Sequence, residues 1–327
     1  MLSDYCNGYS LMHFPVSGVD VSPFIPVAVA FGVSFFTSMG GVSGAFLLLP
    51  FQVSVLHFTS PAVSPTNLVY NIVGIPGGVY RYIREGRMAW PLALVIISGT
   101  LPGVFIGAIL RIKYLPDARH FKVFVGCVLL YIGIRLLHDL TSRAKAAKEK
   151  TVQLEERFKQ RAGRDIAHWE RGVAKGIRTT KFSLSNYEFE FYGDTFSFHT
   201  ALVFAMTFCV GIISGTYGIG GGAIVAPFLI AIFGLPVYAI AGAALLSTFL
   251  TSIVGVAFYT IIAPVYAHTG LAIAPDWRLG ALFGIGGLMG MYCGARAQKY
   301  FPAKIIKLIL GLLIIILALK YISNIVH

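Results

Sequence analysis

Charged residues make up only 12% of this 327-residue chain, about half the share usual in a soluble domain. Acids are the scarcest: Asp4, Asp20, Glu85, Asp117, Asp139, Asp194 and Asp276 fall in loops or at segment ends, and the rest lie between 140 and 198. Carboxylates inside a bilayer are the usual proton relays and cation ligands. Their absence from the apolar stretches disfavours a cation as substrate and favours an anion, while leaving open a coupling cation held by carbonyls and hydroxyls. The four cysteines, Cys6, Cys127, Cys209 and Cys293, stand at no metal or redox spacing and read as small core residues. Neither a metal site nor a cofactor is called for. Residues 1–80 hold no Lys or Arg, so the positive n-region of a cleavable secretory signal is not expected.

What is abundant is apolar surface, since 56% of the residues are hydrophobic. Stretches long enough to cross hydrocarbon, about 20 residues each, run near 64–81, 90–110, 120–138, 239–262, 277–297 and 304–323. Upstream of each trio lies a stretch broken by glycines, 23–38 then 45–57 and 199–214 then 222–234. The fold class is therefore an all-α polytopic membrane protein, multi-pass in the cell inner (plasma) membrane.

The two halves repeat one another. Gly41-Val-Ser-Gly-Ala-Phe-Leu-Leu-Leu-Pro-Phe51 returns as Gly218-Ile-Gly-Gly-Gly-Ala-Ile-Val-Ala-Pro-Phe228, Thr66–Gly74 as Ser247–Gly255, and Leu101–Ala108 as Leu288–Ala295. The division that follows is an N-terminal extension 1–22, a first repeat 23–139, a linker 140–198 and a second repeat 199–327. Internal repeats of this kind mark transporters whose site lies where the halves meet.

Short basic loops stay in the cytoplasm. Arg81, Arg84 and Arg87 form one cluster and Arg296, Lys299, Lys304 and Lys307 another, but in different loops of their repeats. The halves are thus expected to be inverted, with both termini outside and the linker inside; a parallel arrangement is the alternative. One loop, with Arg111, Lys113, Arg119 and Lys122, violates the rule. The net charge of +12 fits basic residues facing anionic membrane lipid, and no nucleic-acid partner is expected. In the linker, 140–181 reads as a solvated amphipathic helix, and Tyr187–Tyr192 with Thr195–Phe198 around Gly193-Asp194 as a β-hairpin.

With the paired glycine-rich segments ending in Pro-Phe, the Gly-x-x-x-Gly-Ala elements and Ala244-Leu-Leu-Ser-Thr248 in place, the chain resembles the TauE/SafE family of membrane permeases over 28–139 and 199–324. The first half departs from its partner at Ser43 (Gly220) and Asn67 (Thr248). The resemblance implies export or uptake of sulfite and organosulfonates, so a small anion is the expected partner. A homo-oligomer stays open.

Glycine breaks inside a membrane are tolerated where they line a cavity. Each break precedes a short apolar helix whose N-terminal amides offer an anion donors and partial positive charge. The candidate substrate-binding residues are Ser43, Gly44, Tyr217, Gly220, Gly221 and Gly222 at the breaks, with Thr66, Asn67 and Asn71, and Ser247, Thr248, Thr251 and Ser252 in the following spans. Such polar stripes also serve as helix–helix glue. His57 and Arg81 are candidates for a gate or mouth, against a bland reading as interfacial residues. The pairs Gly103/Gly107 and Gly290/Gly294 read as close helix packing. Two rival functions remain: a passive anion channel lined by the same groups, and an intramembrane serine protease built on Gly41-Val-Ser43-Gly44. The protease lacks a mid-span histidine to serve as base.

Overall fold

The computed structural model describes residues 11–39, 43–84, 88–138, 178–183, 186–191, 194–233, 235, 237–297 and 303–323. An antiparallel hairpin, β1 (Met12–Phe14) and β2 (Val19–Val21), precedes six helices: α1 (Phe24–Met39), α2 (Ala45–Ser54), α3 (Val63–Gly74), α4 (Pro76–Arg84), α5 (Trp90–Lys113) and α6 (Ala118–His138). A sheet of β3 (Arg178–Phe182), β4 (Asn186–Phe191) and β5 (Asp194–His199) leads into α7 (Thr200–Tyr217), α8 (Gly222–Phe233) and α9 (Val237–Ile262). A 3-10 turn (Ala263–Thr269), α10 (Trp277–Ala297) and α11 (Ala303–Ser323) complete the chain.

Polarity is distributed as a bilayer demands. Leu94, Ile106, Ile134, Leu202, Ile261 and Ile316 are exposed, whereas Ser34, Thr37, Gln52, Ser64, Asn67, Asn71, Thr100 and Ser214 are wholly buried. Apolar side chains thus face lipid and hydroxyls and amides face one another. By length and composition α5, α7 and the helical stretch Ile240–Thr269 can each cross a membrane unaided.

Three expectations are revised here. The stretch 64–81 is not one helix: α3 ends at Gly74 and α4 restarts at Pro76, because proline supplies no amide to continue the ladder. At 12 residues, α3 spans only about 18 Å. Cys127, Cys209 and Cys293 are exposed on helix surfaces rather than in the core. The amphipathic run 140–181 lies mostly outside the described residues, and its end, Arg178–Phe182, is a strand that extends the expected hairpin to three strands. The N-terminal extension carries a hairpin, with Phe14, Val19 and Val21 buried.

Helix directions follow from close approaches at glycine. A Cβ on Gly103 would lie 2.5 Å from the Phe208 carbonyl, and one on Gly107 would strike that of Ile212, so α5 and α7 run parallel. A Cβ on Gly290 would strike the carbonyl of Phe31 and one on Gly294 that of Phe35, so α10 and α1 also run parallel. By contrast α3 and α9 are antiparallel, Leu68 meeting Gly255 and Asn71 meeting Ser252. In α6 and α11, Gly126 meets Tyr321 and Gly133 meets Ile314, again antiparallel. The Gly-x-x-x-Gly pairs therefore seat helices against neighbouring backbone.

Candidate functional site

Both glycine breaks meet α3, and the second also meets α9. In the second, Gly218 (φ 82°) and Gly220 (φ 81°) are left-handed, a conformation that only glycine adopts freely. A Cβ on Gly218 would lie 2.5 Å from Ser64 Cα, and one on Gly220 2.7 Å from Thr248 Cγ2 and 2.9 Å from Ser252 Oγ. The break turns the chain between α7 and α8 and frees carbonyls that need donors, since hydrocarbon offers none.

Those donors come from the other half. Asn67 Nδ2 donates to Gly218 O at 2.8 Å and to Ala45 O at 3.0 Å. One amide thereby holds the second break and the first turn of α2 together. One helical turn on, on the same face, Asn71 Nδ2 donates to Ile219 O at 3.0 Å and to Ser252 Oγ at 3.3 Å. Gln52 Nε2 donates to Asn67 Oδ1 at 3.2 Å and fixes that amide's orientation.

The amide of Gly221, expected to await an anion, instead donates to Thr251 Oγ1 at 2.9 Å. Gly222 packs against Ala244 O and Thr248 Oγ1 so closely that no side chain fits. Ser247 Oγ is 3.2 Å from Thr100 Oγ1, while Thr248 turns its proton back to Ala244 O at 2.9 Å.

In the first break, residues 40–42 lie outside the described residues. Ser43 Oγ accepts the Ala45 amide at 3.3 Å. Gly44 is the N-cap of α2, and its Cα faces the hydrogen-bonded hydroxyls of Tyr70 and Ser34, 2.8 Å apart.

Tyr217 answers a different need. Pro50 sits inside α2 without an N–H, so the carbonyl four residues earlier, Phe46 O, loses its helical partner. The Tyr217 hydroxyl donates to that carbonyl at 2.7 Å.

The structure thus gathers Ser43, Gly44, Asn67, Asn71, Tyr217, Gly220, Gly221, Gly222, Ser247, Thr248 and Ser252 around the two breaks. Thr66 stands apart, donating to Ala62 O and accepting the Asp276 amide at 2.9 Å. His57 does not join them: it is exposed, at φ 55° beyond the end of α2. Arg81 lies in α4, and its side chain falls outside the described residues. Sequence reasoning passed over Gln52, Tyr70 and Ser34; the signal was a lone amide in the apolar stretch 45–57. Among the described residues, Asn71 Oδ1, Gln52 Oε1 and Ser214 Oγ are buried without a partner. Buried polar atoms left in this state are rare.

The family model described as "Sulfite exporter TauE/SafE" matches residues 26–321 of the chain. The protein belongs to the TauE/SafE family. It is also 22% identical over 207 residues to the probable membrane transporter protein YunE of Bacillus subtilis (strain 168), a match covering 61% of this chain and 64% of that relative. The chain therefore spans somewhat under two thirds of the length of the curated relative it matches. No solved structure matches it. TauE/SafE proteins are multi-pass membrane transporters rather than enzymes, so the serine-protease reading of Gly41–Gly44 falls away. Ser43 itself is engaged with the Ala45 amide.

Proposed function

We propose that this chain is a secondary transporter that exports sulfite or a small organosulfonate anion by alternating access between two inverted repeats. The observation that carries the reading is the clamp on the second break. Asn67 and Asn71 of one half hold the carbonyls of Gly218 and Ile219 in the other. Irregular backbone at membrane depth, stabilised by side chains across a repeat interface, is the construction expected of a carrier's site.

An oxyanion competes with Ile219 O for its donor, Asn71 Nδ2, beside the Ser252 hydroxyl. Its binding releases that carbonyl, and the α7–α8 corner becomes free to reorganise. A ligand shifts a conformational equilibrium only through such differential contacts. The unpaired Ser214 hydroxyl, one turn before Gly218, supplies a further donor.

The inverted relationship of 23–139 and 199–327 is supported by helix directions. Repeat counterparts α3 and α9 are antiparallel, as are α6 and α11, and counterpart glycines meet counterpart carbonyls: Gly103 with Phe208, Gly290 with Phe31. With the basic clusters inside, both termini lie outside and 140–198 forms a cytoplasmic linker.

The test is uptake of radiolabelled sulfite into proteoliposomes holding the purified protein, with taurine, sulfoacetate, sulfate and thiosulfate as competitors at fixed pH. Saturable flux, stimulated by unlabelled sulfite on the opposite side, is expected of the carrier. Flux linear in concentration would replace it with a channel. No flux from folded protein would reject this substrate class.

A further inference from the structure

We propose that Arg111 and Ser60 form a second anion site, at the outer mouth, which takes a small oxyanion of the transported class before it reaches the centre. The inference rests on the orientation and substrate class given above, but its chemistry stands on different residues.

Arg111 comes 21 residues after Trp90 in α5, about 31 Å along the helix axis, near the far edge of the hydrocarbon. A basic side chain at that depth ordinarily snorkels to water, and the nearby Lys113 is exposed. Arg111 turns inward and is 0% exposed. Its guanidinium donates to Leu115 O and, at 3.4 Å, to Ser60 O, and it lies 3.7 Å from the centre of the Phe121 ring. No carboxylate pairs with it among the described residues. The nearest acid in sequence, Asp117, accepts the Arg119 amide at 2.8 Å and lies 3.5 Å from His120.

Arginine stays protonated in proteins, and a buried charge without a counter-charge is unfavourable. Two neutral carbonyls and a ring face compensate it only in part. What remains unsatisfied shows what is missing: Arg111 Nε and Ser60 Oγ are both buried without a hydrogen-bond partner. Two donors beside one unbalanced positive charge call for an anionic acceptor, and the planar guanidinium favours two-point contact with an oxyanion. Capping the chain just beyond α5 explains the bond to Leu115 O; it does not explain the idle Nε or the idle hydroxyl.

Two further observations agree. The loop after α5 is the one that breaks the positive-inside rule, so basic residues stand here against the topological trend. Inward from Arg111, the Tyr259 hydroxyl lies beside Ser64 and donates to Gly215 O at 3.5 Å. Ser64 in turn donates to the carbonyls of Thr216 and Tyr217 at 3.4 Å. Polar groups thus lead from the guanidinium to the residue before Gly218.

The experiment is equilibrium binding of radiolabelled sulfite to the purified full-length protein in neutral detergent, with sulfate and chloride as competitors. Two anions per chain are expected for the wild type, one for Arg111→Gln, one for Asn71→Leu and none for the double variant. Should Arg111→Gln fail to fold, Ser60→Ala keeps the guanidinium and weakens one of the two binding phases about ten-fold. If Arg111→Gln or Ser60→Ala binds as the wild type does, or if the wild type binds no sulfite, the outer site is refuted. If Asn71→Leu alone retains both anions, the central site fails instead while the outer one stands.

Discussion

Tyr217→Phe removes one oxygen and leaves the ring, so its effect isolates a single hydrogen bond. That bond, 2.7 Å from the Tyr217 hydroxyl to Phe46 O, fills the place of the N–H that Pro50 lacks. Both groups are fully buried. Losing the donor strands a carbonyl, which costs about 1–3 kcal/mol in a protein interior and about 0.6–1.7 kcal/mol by measurements inside membranes. A cost near 1 kcal/mol is therefore expected.

The sharper statement concerns coupling. Pro50→Ala restores an N–H four residues after Phe46 and lets α2 close its own ladder. On that background Tyr217→Phe should cost almost nothing, giving an interaction energy of roughly 1 kcal/mol in a double-mutant cycle. The assay is thermal or denaturant unfolding of the four proteins in one detergent, with transport recorded in parallel. Additive losses would refute the assignment of the tyrosine to the proline's vacancy.

Asn67→Leu leaves Gly218 O, Ala45 O and the Gln52 amide without their partner, so a loss of roughly 2–5 kcal/mol is expected. Asn67→Asp should fare no better, because it keeps an acceptor where a donor is needed; a melting temperature close to wild type for either variant would remove Asn67 from the clamp. Gly103→Ala and Gly290→Ala place a methyl group against counterpart carbonyls, Phe208 and Phe31. Each should cost roughly 1–3 kcal/mol by overpacking, read as lost folded yield in membranes, and a large loss from one with none from the other would break the two-fold equivalence.

The second break and most helix limits were legible in the sequence, because glycine runs and apolar length act locally. The partners of the polar stripe were not. Spacing puts Asn67, Asn71, Thr248 and Ser252 on faces of their helices, but a threonine can satisfy itself on its own helix, as Thr248 does on Ala244 O. An asparagine cannot reach its own ladder so easily, and these two crossed to another element. Arg111 was read as a loop residue from its place beside Lys113. Only the fold of Ser60 and Phe121 around it makes it a buried charge. The 64–81 stretch misled because hydrophobicity continues through Ile75-Pro76 although the helix does not.

The crossed pairing of first helices bears on how the protein is made. α1 finds its main neighbour in α10 rather than in its own half, and their contact joins Val27 to Gly286, 259 positions later. At translation speeds of roughly 5–20 residues per second, α1 waits on the order of 10–50 s in the bilayer before that neighbour emerges. Throughout that interval the backbone carbonyls of Val27, Phe31 and Phe35 lack the glycine face that later covers them. A chain that stops short of α10 leaves α1 without its main neighbour, so its interior is incomplete until nearly the whole sequence has been made.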